Sequence, residues 1–268
     1  MDLVLGTLVL RPYVFAFLAL FLAAGAADLG WRRTLGFGAL VWPVAWLAEF
    51  SSTRIGIPFG LYHYTGATRG RELYIADVPF MDSLSFTFLA YAALCLARAT
   101  LGRRRPSIVT LALLTGVLMM ALDVVIDPLA VRGDRWFLGR IFSYPEGGVY
   151  FGVPLSNFAG WVVVGAVGVG LYLFVAGTPP GPAWTEGGLR QEHGAPVVVS
   201  TGGGLLWPGV ALYYVVLGFN LAVTAWIGEW ALGVVGGTLH AAIALTIRYV
   251  QREAGPAPGL TNRGGQRA

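Results

Sequence analysis

The chain has 268 residues, of which 12% are charged and 56% hydrophobic before its 38 glycines are counted. A globular chain carries roughly 25% charged residues, so this composition, with a mean hydropathy of +0.67, excludes a water-soluble domain and implies a chain dissolved in a bilayer. The net charge of +4 comes from 18 arginines without a single lysine, which excludes Schiff-base chemistry; one cysteine, Cys95, excludes a disulfide framework or thiolate metal cluster, and His63, His193 and His240 are too few for a histidine-rich di-iron centre.

Apolar runs lie at about 12–29, 35–52, 79–98, 107–129, 152–176, 205–228 and 230–250, each near the ~20 residues a helical span needs. They predict an all-α, polytopic membrane helix bundle of about seven transmembrane helices, forming one domain over 1–252. The first run, between Arg11 and Arg32-Arg33, lacks a small-residue cleavage site close behind a short apolar core and reads as a retained helix. Two long interfacial loops follow spans two and four, at about 53–78 and 130–151. They carry Tyr62, His63, Tyr64, Tyr74, Trp136, Phe142, Tyr144, Tyr150 and Phe151, either as an interfacial aromatic belt or as walls of a site. His63 by itself reads as an interfacial hydrogen-bonding residue. Glycine runs at Gly165–Gly170 and Gly233–Gly237 suit close helix packing. Segment 178–204, rich in proline and glycine, reads as a flexible inner linker and 253–268 as a disordered tail.

The arginines sit at the ends of the apolar runs, where they anchor and orient a membrane protein; nucleic acid is not an expected partner. Eleven of them fall on one side of the predicted spans and seven on the other, interleaved there with Glu72, Asp77, Asp134 and Glu146. The positive-inside rule then puts the N-terminus outside and the C-terminus in the cytoplasm of a cell (plasma or inner) membrane.

A short internal repeat recurs on the outer side. Glu49, Gly60-Leu-Tyr62 and Val78-Pro79-Phe-Met-Asp82 are echoed in order by Asp127, Gly148-Val-Tyr150 and Val153-Pro154-Leu-Ser-Asn157. Such a pattern describes two parallel helix–loop–helix units facing a shared cavity.

An ionisable residue inside a span costs roughly 2.5–3.5 kcal/mol on insertion scales. Glu49, Asp82, Asp123, Asp127 and Glu229 therefore each need a reason; Asp28 is too near a helix end to count. Asp123 and Asp127 share one helix face, and Pro128 biases Asp127 away from helix, so the span is expected to loosen there. Burial beside like charge favours the neutral form of at least one acid, and a neutral carboxyl in an apolar pocket is a proton donor. The structural alternative, a hydrogen bond to a neighbouring helix or a pairing with Arg54 or Arg132, suits Glu229 and Asp82 taken alone.

Glu49, Gly56-x-Pro58-x-Gly60-x-Tyr62-x-Tyr64, Val78-Pro79 and Asp123-x-x-x-Asp127-Pro128 form the first part of a longer signature. Trp136, Gly147-Gly148-Val-Tyr150-Phe-Gly152-Val-Pro154 and Asn157-Phe158-x-Gly160-Trp161 complete it. The combination resembles the carotenoid 1,2-hydratases of the CruF type, which include bisanhydrobacterioruberin hydratases, over about 49–161. At Asp82-Ser83 the sequence departs from the apolar or aromatic residues expected there, which leaves the role of Asp82 open. The resemblance implies addition of water across the terminal C1–C2 double bond of an acyclic ψ-end group (lycopene, γ-carotene or a C50 analogue), giving a tertiary alcohol without a cofactor or metal. Protonating the alkene makes a tertiary carbocation, which needs a positioned acid, aromatic faces and one admitted water.

On this reading Asp123 or Asp127 donates the proton and Glu49 positions the water or takes its proton. Tyr62, Tyr150 and Trp161 line the cation, Asn157 holds the water, and Tyr64, Trp136 and Asp82 complete the substrate-binding set. The expected partners are a hydrophobic carotenoid, water, the lipid bilayer and other carotenoid-pathway enzymes. Competing classes are a proton-coupled transporter, a carotenoid-binding protein and a magnesium-dependent membrane prenyltransferase. The last would normally show a second aspartate pair.

Overall fold

The computed structural model describes residues 2–102, 106–177, 190–192, 195–197 and 205–253. Among these, eight helices form the bundle: α1 (Leu3–Leu10), α2 (Pro12–Asp28), α3 (Trp31–Ile55), α4 (Phe80–Leu101), α5 (Ile108–Ala130), α6 (Leu155–Ala176), α7 (Trp207–Trp226) and α8 (Trp230–Glu253). Six are long and apolar enough to cross a membrane, and the bent pair α1–α2 makes a seventh if counted as one span. Helices α2 to α8 follow the seven expected runs within a few residues. Helix α1 was not anticipated; it meets α2 at 89°, with Arg11 at the corner and Pro12 opening α2, where its missing N–H costs nothing.

Helix α4 is the axle. It is buried almost throughout its length, whereas α8 turns most of its surface outward. Glycine sets the closest helix crossings. A Cβ on Gly116 would stand 2.3 Å from the Val162 carbonyl oxygen, one on Gly165 would stand 2.9 Å from Gly116 Cα, and one on Gly236 would stand 2.3 Å from Val125 Cγ2. The expected packing role of Gly165 and Gly236 is thereby met.

The two long loops are tied to each other. Strand β1 (His63–Tyr64) pairs antiparallel with β4 (Phe142–Ser143), while β2 (Tyr74–Ile75) and β3 (Val78–Pro79) form a tight hairpin. Its two turn residues, Ala76 and Asp77, both have positive φ, the backbone of a type I′ turn. Buried Arg11 binds both carboxylate oxygens of Glu72, at 3.1 and 2.8 Å, and donates to the Leu138 carbonyl at 3.3 Å. The α1–α2 corner thus anchors both loops. A short ribbon pairs Arg190–Glu192 with Ala195–Val197; the rest of the expected linker 178–204, and the tail from 254, lie outside the described residues.

One expectation is corrected. Helix α5 does not loosen at Asp127 but continues through Pro128 to Ala130. Proline cannot donate to the carbonyl four residues back, and the freed Val124 carbonyl instead accepts the Tyr150 hydroxyl at 3.2 Å. At the helix end, Arg132 donates to the Pro128 and Phe151 carbonyls at 2.8 and 2.7 Å, a cation capping a helix C-terminus.

Candidate active site

The end of α3, the start of α4, the end of α5 and the start of α6 meet under the paired loops, and there the structure opens a cavity with about 930 Å³ of empty space including its mouth. Its wall includes Glu49, Tyr62, Tyr64, Asp82, Asp127, Trp136, Asn157 and Trp161. Eight of the ten residues singled out from the sequence are therefore brought to one place. The other two stand behind the wall. Asp123 is fully buried beneath Asp127, and Tyr150 braces α5 through Val124.

Asp123, Asp127 and Asn157 form a tight polar unit. Asn157 Nδ2 donates to Asp123 Oδ2 at 2.7 Å and to Asp127 Oδ2 at 2.8 Å, so a single amide bridges both carboxyls. Trp161 Nε1 adds a second donor to Asp127 Oδ2 at 3.1 Å, and the Asp127 N–H reaches Asp123 Oδ1 at 3.2 Å. The two carboxyl groups thus converge on one amide nitrogen, deep in the bundle.

Glu49 and Asp82 are held differently. Glu49 Oε2 and Asp82 Oδ2 are buried and have no hydrogen-bond partner among the described residues. Tyr64 approaches the Glu49 carboxyl, and Arg11 brings positive charge near Asp82, a buried cation that the arginine count alone treated as an anchor. The remaining acids are structural. Glu229 pairs with Arg132 at 3.0 Å and with Arg135 at the turn between α7 and α8. Asp28, set aside as a helix-end residue, is buried at the opposite end of the bundle and pairs with Arg98 at 2.5 Å. His63 is exposed, in keeping with an interfacial position.

Aromatic faces enclose the acids. Trp161 stacks on Phe86 with ring centres 4.4 Å apart, and Tyr62 packs against Tyr64, Phe142 and Tyr144 at 5.4, 5.7 and 5.7 Å. Burial, reinforced by Glu49, pushes the Tyr62 and Tyr64 phenols well above the ordinary tyrosine range. Burial followed by Asp127 and Asp123 does the same for Tyr144. All three stay hydroxyl donors at neutral pH.

A second, mainly aromatic arm was missed from the sequence. Tyr13 of α2 stacks on Phe219 of α7 at 5.3 Å, and Phe17 joins Phe88 and Phe219 at 5.5 and 5.6 Å. Such residues are indistinguishable from lipid-facing ones in an apolar run, because periodicity is silent when every face is apolar. The cavity thus has an acidic end and an apolar aromatic arm, a shape suited to a long apolar molecule whose reacting end meets the acids.

Comparison with known proteins gives the family. The chain matches the family model described as carotenoid biosynthesis protein over residues 2–236, and it belongs to that family. It is 32% identical over 169 residues to the bisanhydrobacterioruberin hydratase of Haloarcula japonica, an alignment covering 62% of this chain and 52% of the relative. The chain therefore spans about half the length of this curated relative. No solved structure matches it.

Proposed function

We propose that this member of the carotenoid biosynthesis protein family is a carotenoid hydratase that adds water across the terminal C1–C2 double bond of an acyclic ψ-end group. The substrate is lycopene, γ-carotene or a C50 analogue, and the reaction proceeds by acid catalysis through a tertiary carbocation. The observation that carries the reading is the buried Asp123–Asp127 pair bridged by the Asn157 amide, with Asp127 on the wall of a cavity rich in aromatic rings.

Asp127 delivers a proton to C2 of the alkene, and Asn157, which bridges it to Asp123, holds it in position. The developing charge at C1 faces the stacked Trp161 and Phe86 rings and the Tyr62 ring, whose π-faces attract a cation. Water then forms the C1–O bond, and Glu49 takes the proton that water gives up. The polyene lies in the arm of Tyr13, Phe17, Phe88 and Phe219. A hydrated end group reached from the outer side fits an enzyme with its N-terminus outside and its C-terminus in the cytoplasm, in the cell membrane.

Co-expression with a lycopene pathway tests the proposal. Hydroxylated carotenoid is expected, carrying oxygen-18 from labelled water. Unchanged pigment points to a binding protein, flux without conversion in liposomes to a transporter, and label from O₂ to an oxygenase. Labelling an introduced N-terminal cysteine with a membrane-impermeant reagent in intact cells tests the orientation; protection of that cysteine overturns it.

A further inference from the structure

Addition of water needs two groups with opposite tasks: one that delivers a proton to carbon and one that holds the water and removes a proton from it. The Asp123–Asp127 unit is committed to the first task. Asp127 Oδ2 already accepts from both Asn157 and Trp161, and the Asn157 amide nitrogen is occupied by the two aspartates. Little is left there to grip a nucleophile.

The other helix pair is in the opposite condition. Glu49 Oε2 and Asp82 Oδ2 are buried without a partner, both residues line the cavity, and Glu49 is 4% exposed. Buried polar atoms are nearly always satisfied, so an exception calls for an explanation.

Resting on the hydratase reading, we infer that Glu49 and Asp82 together bind the reacting water, and that Asp82 is a catalytic residue rather than a lining one. A buried water is held by two to four polar partners. One that donates a hydrogen bond to the ionised acid of the pair and accepts one from the other in its neutral form keeps a lone pair free for the cation. As the C1–O bond forms, one O–H bond breaks and its proton passes to Asp82 or Glu49. The other proton stays on the product hydroxyl. Net addition of H and OH is balanced by return of the captured proton to the Asp123–Asp127 unit. The water is thus assigned to α3 and α4, and Asn157 becomes a positioning residue for Asp127.

The test separates protonation from hydration. Wild type, D82N, E49Q and D127N are incubated in membranes with a ψ-end carotenoid in D₂O, and mass spectrometry reads hydroxylated product and deuterium in the unhydrated carotenoid. D82N and E49Q are expected to lose hydration by roughly 100-fold or more, the scale of a general base. They keep deuterium exchange, because the cation still forms and reverts by losing a proton. D127N loses both. Asp82→Ser, read in the same way, covers the case in which the amide variant does not accumulate. D82N that hydrates within threefold of wild type overturns the inference, as does a folded D82N that loses exchange together with hydration. Wild type that neither hydrates nor exchanges any ψ-end carotenoid overturns the hydratase reading and this assignment with it.

Discussion

Helices α3 and α4 with their loop, and α5 and α6 with theirs, are built on the same frame and finished differently. In each unit a fully buried valine, Val78 or Val153, precedes a proline at the helix N-cap, and the third helical residue, Asp82 or Asn157, reaches the acids. Asn157 donates to two carboxyls. Asp82 at the matching position carries no amide N–H, and among the described residues one of its oxygens is left without a partner. The tyrosines diverge too: Tyr62 lines the cavity, whereas Tyr150 braces α5 against the loss of a helical bond at Pro128. An amide ties the acids of one unit together, whereas the same place in the other holds an acid with an unpartnered oxygen among the described residues. Duplicated geometry does not imply duplicated function.

The largest effect expected on this contrast is at Asp127. D127N leaves the size of the side chain unchanged but removes the acid, and hydration should fall by roughly 10³- to 10⁴-fold, the upper part of the range for general acid catalysis. Pigment analysis reads it; retention of more than a tenth of wild-type activity breaks the division between the units. Next comes Asn157→Leu, which strips both aspartates of a donor. Stranding buried acceptors costs about 1–3 kcal/mol each, so a clear drop in melting temperature in detergent should accompany at least tenfold slower hydration. Unchanged melting would show that the amide does not hold the acids.

Packing offers a third comparison. Gly116→Ala drives a methyl into the Val162 carbonyl and should cost about 1–3 kcal/mol as overpacking. Gly38→Ala on α3 meets nothing within 4 Å and should leave the melting temperature unchanged or slightly higher, since alanine favours helix. Equal losses in both would deny that the α5–α6 crossing is the tighter. The smallest effect separates the two tyrosines. Tyr150→Phe should lower stability by about 1 kcal/mol, one hydrogen bond, with hydration little changed. Tyr62→Phe should alter hydration severalfold with little effect on melting. A reversed pattern would exchange their roles.

Much of the fold was readable because lipid imposes a simple rule: every backbone polar group must be satisfied within the span, so each apolar run becomes a helix. The hairpin at Tyr74–Pro79 was not readable. Its turn uses Ala76 where a type I′ turn ordinarily has asparagine or glycine. Helix α1 was also missed, since eight residues are too short to register as a span. Within the site, the acids stood out because charge in hydrocarbon is costly, while Phe17, Phe86, Phe88 and Phe219 were hidden among dozens of equally apolar neighbours.

Sequence alone determined that the chain is a helical membrane protein, and it singled out Glu49, Asp82, Asp123 and Asp127 as residues needing a reason to be where they are. Tertiary structure decided which acids share a donor and which keep a free oxygen, and that Tyr150 and Asp123 stand off the cavity wall. Those distinctions depend on the direction of individual side chains across helix interfaces. Composition and spacing record which residues share a helix face, but not which partner each side chain meets on the next helix.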